Sequence, residues 1–289
     1  MIPQVVNHSK ENSSLKYNIG KNIFDFRFAY VMGILNITSD SFSDGGLFIN
    51  KQKAVNHALD MIESGADIID IGGESTRPGS EPVSETEELE RVIPVINGIL
   101  KSKPDAIISI DTTKANVAKQ ALRNGALIVN DISGGSFEPD IFEVTSEHNA
   151  AMILMHIKGK PKTMQVSPEY SDVIAEVYDH LAKQSSIASE HGIENIIIDP
   201  GIGFGKRLEH NLSLINGLDY FRSLGFPILI GLSRKSFIGN ILNLPVEERD
   251  DATNSLNMLV LSKGARIIRT HNVKQAYQTC KLFNEVIIK

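Results

Sequence analysis

Eight short runs of aliphatic and β-branched residues recur along the chain, and each leads into a polar or glycine-rich turn and then an amphipathic stretch. Continuous Ile, Val and Leu runs are typical of strands that are buried on both faces, as in parallel sheets. Eight strand–helix alternations favour a parallel sheet closed into a barrel over an open doubly wound sheet. The runs begin near Val31, Asp67, Ile107, Ala126, Ala151, Asn195, Pro227 and Ala265.

The stretches between these runs have helical periodicity, which predicts helices over residues 51–63, 84–101, 171–191 and 208–223. No linker rich in proline or serine and no shift in composition interrupts the alternation. We therefore expect one α/β domain, a (β/α)8 TIM barrel over residues 29–289. Residues 1–28 are rich in polar side chains and are predicted to be an N-terminal leader or extension, either mobile or lying loosely under the barrel.

The composition narrows the possible surroundings and partners of the chain. Its 289 residues carry a net charge of −6 without a dense block of Lys and Arg, which argues against nucleic-acid binding. No apolar run approaches the roughly 18 residues of a membrane span, and residues 1–18 lack the apolar segment of a secretory signal. The one cysteine, Cys280, cannot form an internal disulfide. These features predict a protein of the reducing cytoplasm that has neither a nucleic-acid nor a membrane partner.

Polar residues follow nearly every apolar run, at the carboxyl ends of the predicted strands, where barrels of this kind carry their active sites. For any one of these residues, a helix cap or a turn is the simpler interpretation. Their convergence on one rim favours a site, because capping alone does not require it. The residues include Asn36, Asp111, Asn130, His156, Asp199, Lys235, Arg269 and His271.

The residue types at this rim leave several kinds of chemistry open. Carboxylates and amides match a flat heterocycle with a donor edge, because a carboxylate accepts two N–H bonds in its plane. Paired acid–base catalysis or a metal site is also compatible, although no His-Glu-x-x-His motif occurs. Arg77, in a loop bordered by Gly and Pro, and Arg269 are candidates for binding an anion. The glycine-rich run at 201–205 lacks dinucleotide-binding spacing.

The motifs, taken in order, resemble those of the dihydropteroate synthases, a family of pterin-binding TIM-barrel enzymes. Two long signatures carry much of the resemblance, GILNITSDSFSDGG at 33–46 and GADIIDIGGESTRPGS at 65–80. The resemblance spans about residues 30–280, and eight motifs in one order are far more specific than any single motif. The other six are SIDT at 109–112, GALIVNDISGG at 125–135, MILMHIKGKPKTMQ at 152–165, DPGIGFGK at 199–206, GLSRKSFIG at 231–239 and RTHNV at 269–273.

The resemblance implies a role for each matching residue. The pterin ring would be bound by Asp111, Asn130, Met155, Asp199, Phe204 and Lys235. The diphosphate would be held by Asn36, Arg269 and His271, and Asn36 would also bind Mg²⁺, the implied cofactor. The 4-aminobenzoate site would be bordered by Thr76, Pro78, Phe204 and Ser236. The catalytic residues would be Asp44, Arg77, Asp111 and Lys235, with Asp44 and Arg77 on two loops that close over the reacting centre.

The resemblance also implies a reaction. A dihydropterin methyl diphosphate would condense with 4-aminobenzoate, giving 7,8-dihydropteroate and diphosphate in folate synthesis. A dissociative route is expected, because positive charge that develops on the methylene carbon is delocalised into the ring, while cations stabilise the leaving diphosphate. The family further implies a homodimer and inhibition by sulfonamides.

Three residues depart from the family pattern. Asn272 stands where the family often has Asp, and Ile157 and Lys158 stand where it often has Asn and Arg.

Two other functions stay open. One alternative is a pterin-barrel methyltransferase that uses methyltetrahydrofolate, against which the two loop motifs and SRKS at 233–236 argue. The other is a barrel that binds a pterin without catalysis, against which the intact Asn36, Lys235 and Arg269 argue.

Overall fold

Eight parallel strands form a closed barrel in the computed structural model, which describes residues 15–37 and 47–287, apart from the side chains of residues 47–50 and 287. Barrel strands adjacent in the chain pair with each other, and the last pairs with the first, which confirms the predicted (β/α)8 fold. The strands are β1 (Lys16–Ile19), β2 (Asn22–Asp25), β3 (Tyr30–Asn36), β4 (Ile68–Gly72), β5 (Ile108–Asp111), β6 (Ile128–Asp131), β7 (Ala151–Met155), β8 (Ile196–Asp199), β9 (Ile228–Ile230) and β10 (Ala265–Thr270), of which β3–β10 form the barrel.

Helices connect the barrel strands and pack around them. Ser84 caps α2 by accepting a hydrogen bond from the Glu87 N–H, and Asp172 caps α5 in the same way, so that donors at both helix starts are satisfied. The helices are α1 (Leu47–Glu63), α2 (Glu85–Ser102), α3 (Ala115–Arg123), α4 (Asp140–Glu147), α5 (Val173–Glu190), α6 (Leu208–Asn216), α7 (Ser236–Leu242), α8 (Asp250–Ser262) and α9 (Val273–Ile287).

One predicted helix, over residues 208–223, is divided in the structure. Helix α6 ends before Gly217, and a 3-10 helix, Leu218–Leu224, follows. A Cβ at Gly217 would lie 2.7 Å from Ile174 Cδ1, so this close approach to α5 favours a glycine. Tertiary packing thus interrupts a pattern that the sequence alone reads as one helix.

The hairpin β1–β2 closes the N-terminal end of the barrel, and the sequence pattern did not predict it. Tyr17, Ile19 and Phe24 are buried in one cluster with Met32 and Ile68 of the barrel interior. The Tyr17 hydroxyl donates a 2.8 Å hydrogen bond to the Ile196 carbonyl at the start of β8. Each such apolar burial contributes about 1.5–3 kcal/mol, so residues 15–28 form a fixed plug instead of the expected loose lid. Residues 1–14 lie outside the described residues, and the boundary at residue 28 stays a prediction.

The barrel interior changes from apolar to polar along its axis. Alternate residues of β4 face opposite sides, so Ile69 and Ile71 pack against the helices, whereas Ile68 joins the interior cluster near the hairpin. Asp70, on the interior side and nearer the carboxyl end, is fully buried. The polar residues therefore gather at the end of the barrel opposite the hairpin. Across residues 15–37 and 47–287, no helix is long and apolar enough to cross a membrane.

Candidate active site

One lateral row of barrel residues carries the first group of predicted site residues. In the register of the strands, Asn36 pairs with Gly72, Gly72 with Asp111, and Asp111 with Asn130. A Cβ at Gly72 would lie 3.5 Å from Asp111 Cβ and 3.7 Å from Asn36 Oδ1. Because Gly72 has no side chain, the amide and the carboxylate border an open space at the C-terminal end of the barrel.

Arg269 is fixed across the barrel by two carboxylates. Its Nε donates to Asp70 Oδ2 at 2.6 Å, and its Nη2 donates to Asp111 Oδ2 at 2.7 Å. The Asn130 side chain donates to the same Asp70 oxygen at 2.9 Å. Two charge-assisted hydrogen bonds hold the planar guanidinium in one orientation, so Arg269 is a rigid cation at the rim of the barrel.

Electrostatic coupling within this network sets the charge of its members. Burial alone would lower the pKa of Arg269, but the carboxylates of Asp70 and Asp111 outweigh that effect and raise it. Burial also raises the pKa of Asp111; Arg269 opposes this shift, whereas Asp70 adds to it. The guanidinium therefore stays charged, and its contact favours the charged form of the Asp111 carboxyl against the effect of burial.

Asp199 and Lys235 form a second polar group, on the β8 and β9 side of the barrel. Asp199 is 7% exposed and accepts a 2.7 Å hydrogen bond from the Gly201 N–H. The Lys235 Nζ lies 4.0 Å from the centre of the Phe204 ring, a cation–π contact. Desolvation in the pocket lowers the pKa of Lys235 to about 8, and Asp199 opposes the shift. Burial raises the pKa of Asp199, and the Gly201 N–H and Lys235 oppose that shift.

An apolar wall adjoins these charges. Met155 pairs with Asp199 in the register of β7 and β8 and belongs to a buried cluster with Ile132, Ile157 and Met164, against which Phe204 packs. Ile157, one of the departures from the family pattern, is thus a buried part of this wall. The neighbouring departure, Lys158, points elsewhere and lies 4.1 Å from the centre of the Tyr170 ring. The wall and the charges together suit a flat, polar ring.

His271 ends the β10 side of the site as a neutral donor. Ser233 Oγ accepts a 3.1 Å hydrogen bond from the His271 N–H and lies 2.9 Å from His271 Nδ1. The Ser233 hydroxyl proton is free to point at Nδ1, and on this contact we assign the ring proton to Nε2. Burial, together with the charges of Arg269 and Arg234, lowers the pKa of His271 to about 4. At neutral pH the imidazole is uncharged and offers one N–H to an anion.

The loop after β4 carries Thr76, Arg77 and Pro78. Thr76 lines a cavity of about 40 Å³ together with Asp111. Arg77 and Pro78 are exposed, and within the described residues the Arg77 side chain makes no hydrogen bond or ion pair. Arg77 is nevertheless near enough to His271 for its charge to lower the histidine pKa. Arg77 is therefore less constrained by its neighbours than Arg269 is.

A partly buried ion cluster anchors the base of the same loop. The Lys114 Nζ lies 2.5 Å from Glu74 Oε2 and 2.5 Å from Glu88 Oε2. Arg91 adds a 2.6 Å hydrogen bond from Nη1 to the Gly73 carbonyl. The loop is thus held at its start, whereas Arg77 at its tip is exposed.

The third departure, Asn272, is explained by its neighbour. Asp250 accepts two hydrogen bonds from Arg234, at 2.8 and 2.9 Å, and a third from Asn272 Nδ2 at 3.0 Å. An aspartate at position 272 would place a second carboxylate against Asp250, which an amide donor avoids. Ser236, predicted to border the 4-aminobenzoate site, is the exposed first residue of α7.

The predicted site residues that the structure describes lie on strand ends and loops at the C-terminal end of the barrel, while Asp44 lies outside the described residues. Their individual roles stay predictions. Two buried residues that the motifs left without a role, Asp70 and Lys206, also belong to this region. The signal for Asp70 was a carboxylate inside a continuous apolar run, and the signal for Lys206 was a lysine that ends a glycine-rich loop.

Comparisons with known proteins show what the chain as a whole is similar to. A family model described as "Pterin binding enzyme" matches residues 32–271. A dihydropteroate synthase from Synechocystis sp. is 50% identical over 268 residues, covering 91% of this chain and 92% of its own. The structure is similar to that of a Yersinia pestis dihydropteroate synthase with a sulfonamide drug complex (TM-score 0.89, 38% identity, 95% of this chain and 100% of that one). It is also similar to a Xanthomonas albilineans dihydropteroate synthase with 4-aminobenzoic acid (TM-score 0.88, 36% identity, 95% and 99%).

Proposed function

The chain belongs to the dihydropteroate synthase family of pterin-binding enzymes, transferases of folate synthesis, and we propose how its own residues carry out the condensation. Membership in this family favours condensation over the methyl transfer and the non-catalytic pterin binding considered above. The observation that carries the proposal is a rigid cation, Arg269, bonded to the buried carboxylate of Asp111 at the open end of a plugged barrel, with a second buried carboxylate, Asp199, at the same end. One side of this pocket suits a leaving anion, and the other suits a donor-rich ring.

The pterin ring binds between the polar groups and the apolar wall. Asp199 accepts N–H bonds from the donor edge of the ring, a match that a buried carboxylate makes in plane. Lys235 donates to ring acceptor atoms, and Asp111 and Asn130 complete the polar contacts. Met155 and Phe204 form the apolar faces of the pocket.

The diphosphate lies at the β10 side of the pocket. Arg269 supplies a fixed charge, and the neutral His271 donates from Nε2. The C–O bond to the methylene breaks, and diphosphate leaves with the electron pair. Positive charge then spreads from the methylene carbon into the ring, where the nearby carboxylates of Asp111 and Asp199 stabilise it electrostatically.

The 4-aminobenzoate binds at the mouth, bordered by Thr76, Pro78, Phe204 and Ser236. Its amino nitrogen attacks the methylene carbon, a C–N bond forms, and the nitrogen releases one proton to solvent. Arg77 and Asp44 act from the two loops that close over the centre, excluding water from the reactive carbon.

Mg²⁺ is part of the proposal, and the residues present offer it one candidate protein ligand. Asn36 offers one neutral amide oxygen beside Asp111, and across the described residues no group of three or more acidic, His or Cys ligands is present. This donor set suits a cation that takes most of its ligands from water and substrate phosphates. When bound, Mg²⁺ neutralises part of the diphosphate charge.

We expect condensation to require a divalent metal, because Arg269 alone cannot balance the charge of the departing diphosphate. The test incubates the protein with the pterin diphosphate and 4-aminobenzoate, and follows 7,8-dihydropteroate by chromatography with Mg²⁺ or with excess EDTA. Product with Mg²⁺ and about 100-fold less with EDTA is expected, since one lost electrostatic contact of this kind costs roughly 10²–10³ in rate. Full turnover in EDTA would exclude the metal, and no product in either condition would exclude the function.

We also propose a homodimer that uses the surface around α7 and α8. Five large apolar side chains are exposed there, a concentration typical of an interaction surface: Ile241, Leu242, Val246, Met258 and Leu259. Sedimentation equilibrium is expected to give twice the chain mass, and Leu242→Asp with Leu259→Asp to give monomers, because a buried charge without a partner is costly. A wild-type monomer at micromolar concentration would contradict the proposal. Exposed Leu282→Asp on α9 is the matched control.

The cytoplasm is the compartment that we propose. Cys280 is a buried free thiol, so the described fold has no disulfide to maintain. Burial raises its pKa to about 12, which keeps the thiol protonated and unreactive. A fold without disulfides is the usual case in a reducing compartment.

A further inference from the structure

Lys206 ends the loop after β8 and points back into the protein, with 3% of its surface exposed. Its Nζ lies 2.9 Å from the Gly201 carbonyl and 3.0 Å from the Phe204 carbonyl, both in its own loop. The same Nζ lies 2.9 Å from His156 Nδ1 and 3.2 Å from the His156 carbonyl, in the loop after β7. One ammonium group therefore links two loops that belong to different strands.

Glycines make this arrangement possible. Gly201, Gly203 and Gly205 all have positive φ, at 68°, 85° and 60°, which turns the loop sharply and directs carbonyl oxygens inward. A Cβ at Gly201 would lie 1.9 Å from the His156 carbonyl oxygen, so no side chain can be accommodated there. The sequence DPGIGFGK thus encodes both a carbonyl-lined pocket and the lysine that fills it.

The contacts favour a charged lysine and a neutral histidine. Four acceptor atoms lie within 3.2 Å of Nζ, and an ammonium has three N–H donors to share among them, whereas a neutral amine has two. Burial and the Lys206 charge lower the pKa of His156 to about 2, so the ring is neutral, and the contact with the ammonium makes its Nδ1 the acceptor. Burial lowers the pKa of Lys206 to about 7, and Asp199 opposes the shift.

Both linked loops contribute to the pterin pocket. The Gly201 N–H, next to the carbonyl that Lys206 holds, donates to Asp199 Oδ1 at 2.7 Å. Phe204, whose carbonyl Lys206 also holds, carries the ring beneath Lys235 Nζ. Lys206 contacts neither the Asp199 carboxylate nor the Phe204 ring through its own side chain, so it acts on ligand binding through the loop backbone and through the coupling of its charge to Asp199.

We propose that Lys206 is a positioning residue for the pterin pocket, joining the loops after β7 and β8 so that Asp199 and Phe204 keep the orientation that the ring requires. This inference rests on the proposed pterin site. It predicts that loss of the ammonium weakens pterin binding more than 4-aminobenzoate binding. Phe204 is common to both sites, but the other residues that border the 4-aminobenzoate site, Thr76, Pro78 and Ser236, lie outside the linked loops.

The test is Lys206→Met, which keeps the length of the side chain and removes its donors. Calorimetry with 6-hydroxymethyl-7,8-dihydropterin is expected to show roughly 10- to 100-fold weaker binding, the scale of a small misplacement of binding groups. The KM for 4-aminobenzoate should stay within about twofold. Lys206→Arg, which keeps charge and donors, should recover part of the pterin affinity. The matched control is Lys183→Met, which removes an exposed lysine of α5 and should bind the pterin as wild type does.

Three results would overturn the positioning role: unchanged pterin affinity in Lys206→Met, equal losses for both substrates, or identical affinities for the Met and Arg variants. If Lys206→Met does not fold, Lys206→Gln, with two N–H donors, takes its place and is expected to lie between Met and wild type. Asp199→Asn, measured in parallel, distinguishes failure of the proposed pterin site from failure of the proposed link between the loops. Unchanged pterin affinity in that variant would remove the pterin site itself, whereas a loss there without a loss in Lys206→Met would remove only the loop link.

Discussion

Arg269→Ala is expected to weaken binding of the pterin diphosphate by about 2–5 kcal/mol, the usual cost of removing one partner from a buried, hydrogen-bonded charge pair. The free hydroxymethyl pterin should lose much less, because it lacks the charge with which Arg269 pairs. The variant also leaves Asp70 and Asp111 without their common cation, so some loss for both ligands is expected. The decisive quantity is therefore the ratio of the two affinities, measured by calorimetry on the same preparation.

Arg77→Ala should behave differently, because Arg77 is exposed at a loop tip and makes no side-chain hydrogen bond within the described residues. Its affinity for the diphosphate ligand should stay within a few-fold of wild type, while turnover at saturation falls, as expected of a residue that acts in the closed state. Equal losses of diphosphate affinity in both variants, with turnover intact, would contradict the division between a fixed anion site and a mobile loop. The loop after β4 would then have to be counted as a permanent part of the diphosphate-binding pocket.

Asp199→Asn is expected to weaken pterin binding by about 1–3 kcal/mol, because the amide presents an NH₂ to a ring donor and leaves buried groups mismatched. The Gly201 N–H can still find an acceptor in the amide oxygen, so the loop should keep its shape. Calorimetry with the free pterin measures the effect without the diphosphate.

The matched control for this variant is Asp172→Asn, the same change at the N-cap of α5. It is expected to leave pterin affinity unchanged, since asparagine is also a good N-cap residue. A pterin affinity equal to wild type in Asp199→Asn would place the ring elsewhere in the barrel.

The sequence predicted the barrel and the row of polar strand ends, because both depend on local periodicity. Asn36, Asp111 and Asn130 each follow an apolar run, and parallel strands bring such ends together whatever the details of packing. The hairpin over Lys16–Asp25 was missed because its apolar residues alternate over two very short strands within a polar segment, and their burial comes from contacts with distant strands.

Asp70 and Lys206 were missed for a related reason. A carboxylate within an apolar run has no local partner, and its salt bridge to Arg269 joins residues 199 positions apart in the chain. The contact that sets Lys206 apart is with His156, which lies 50 residues earlier in the chain. When the partner of a charged residue is distant in sequence, the local pattern shows only that a charge stands in an apolar or glycine-rich segment. It does not show which residue the charge contacts.

The plug at the base of the barrel has a consequence for synthesis of the chain. Tyr17 and its hydrogen-bond acceptor at Ile196 are separated by 179 residues, so the hairpin leaves the ribosome long before the strand that anchors it. At roughly 5–20 residues per second, the delay is on the order of 10–40 s. During that interval Tyr17, Ile19 and Phe24 lack the complete set of barrel strands against which they pack. One edge of β3 stays unpaired still longer, until β10 has been synthesised. An exposed apolar hairpin and an open sheet edge are what chaperones bind, so the nascent chain should depend on them until its last strand emerges.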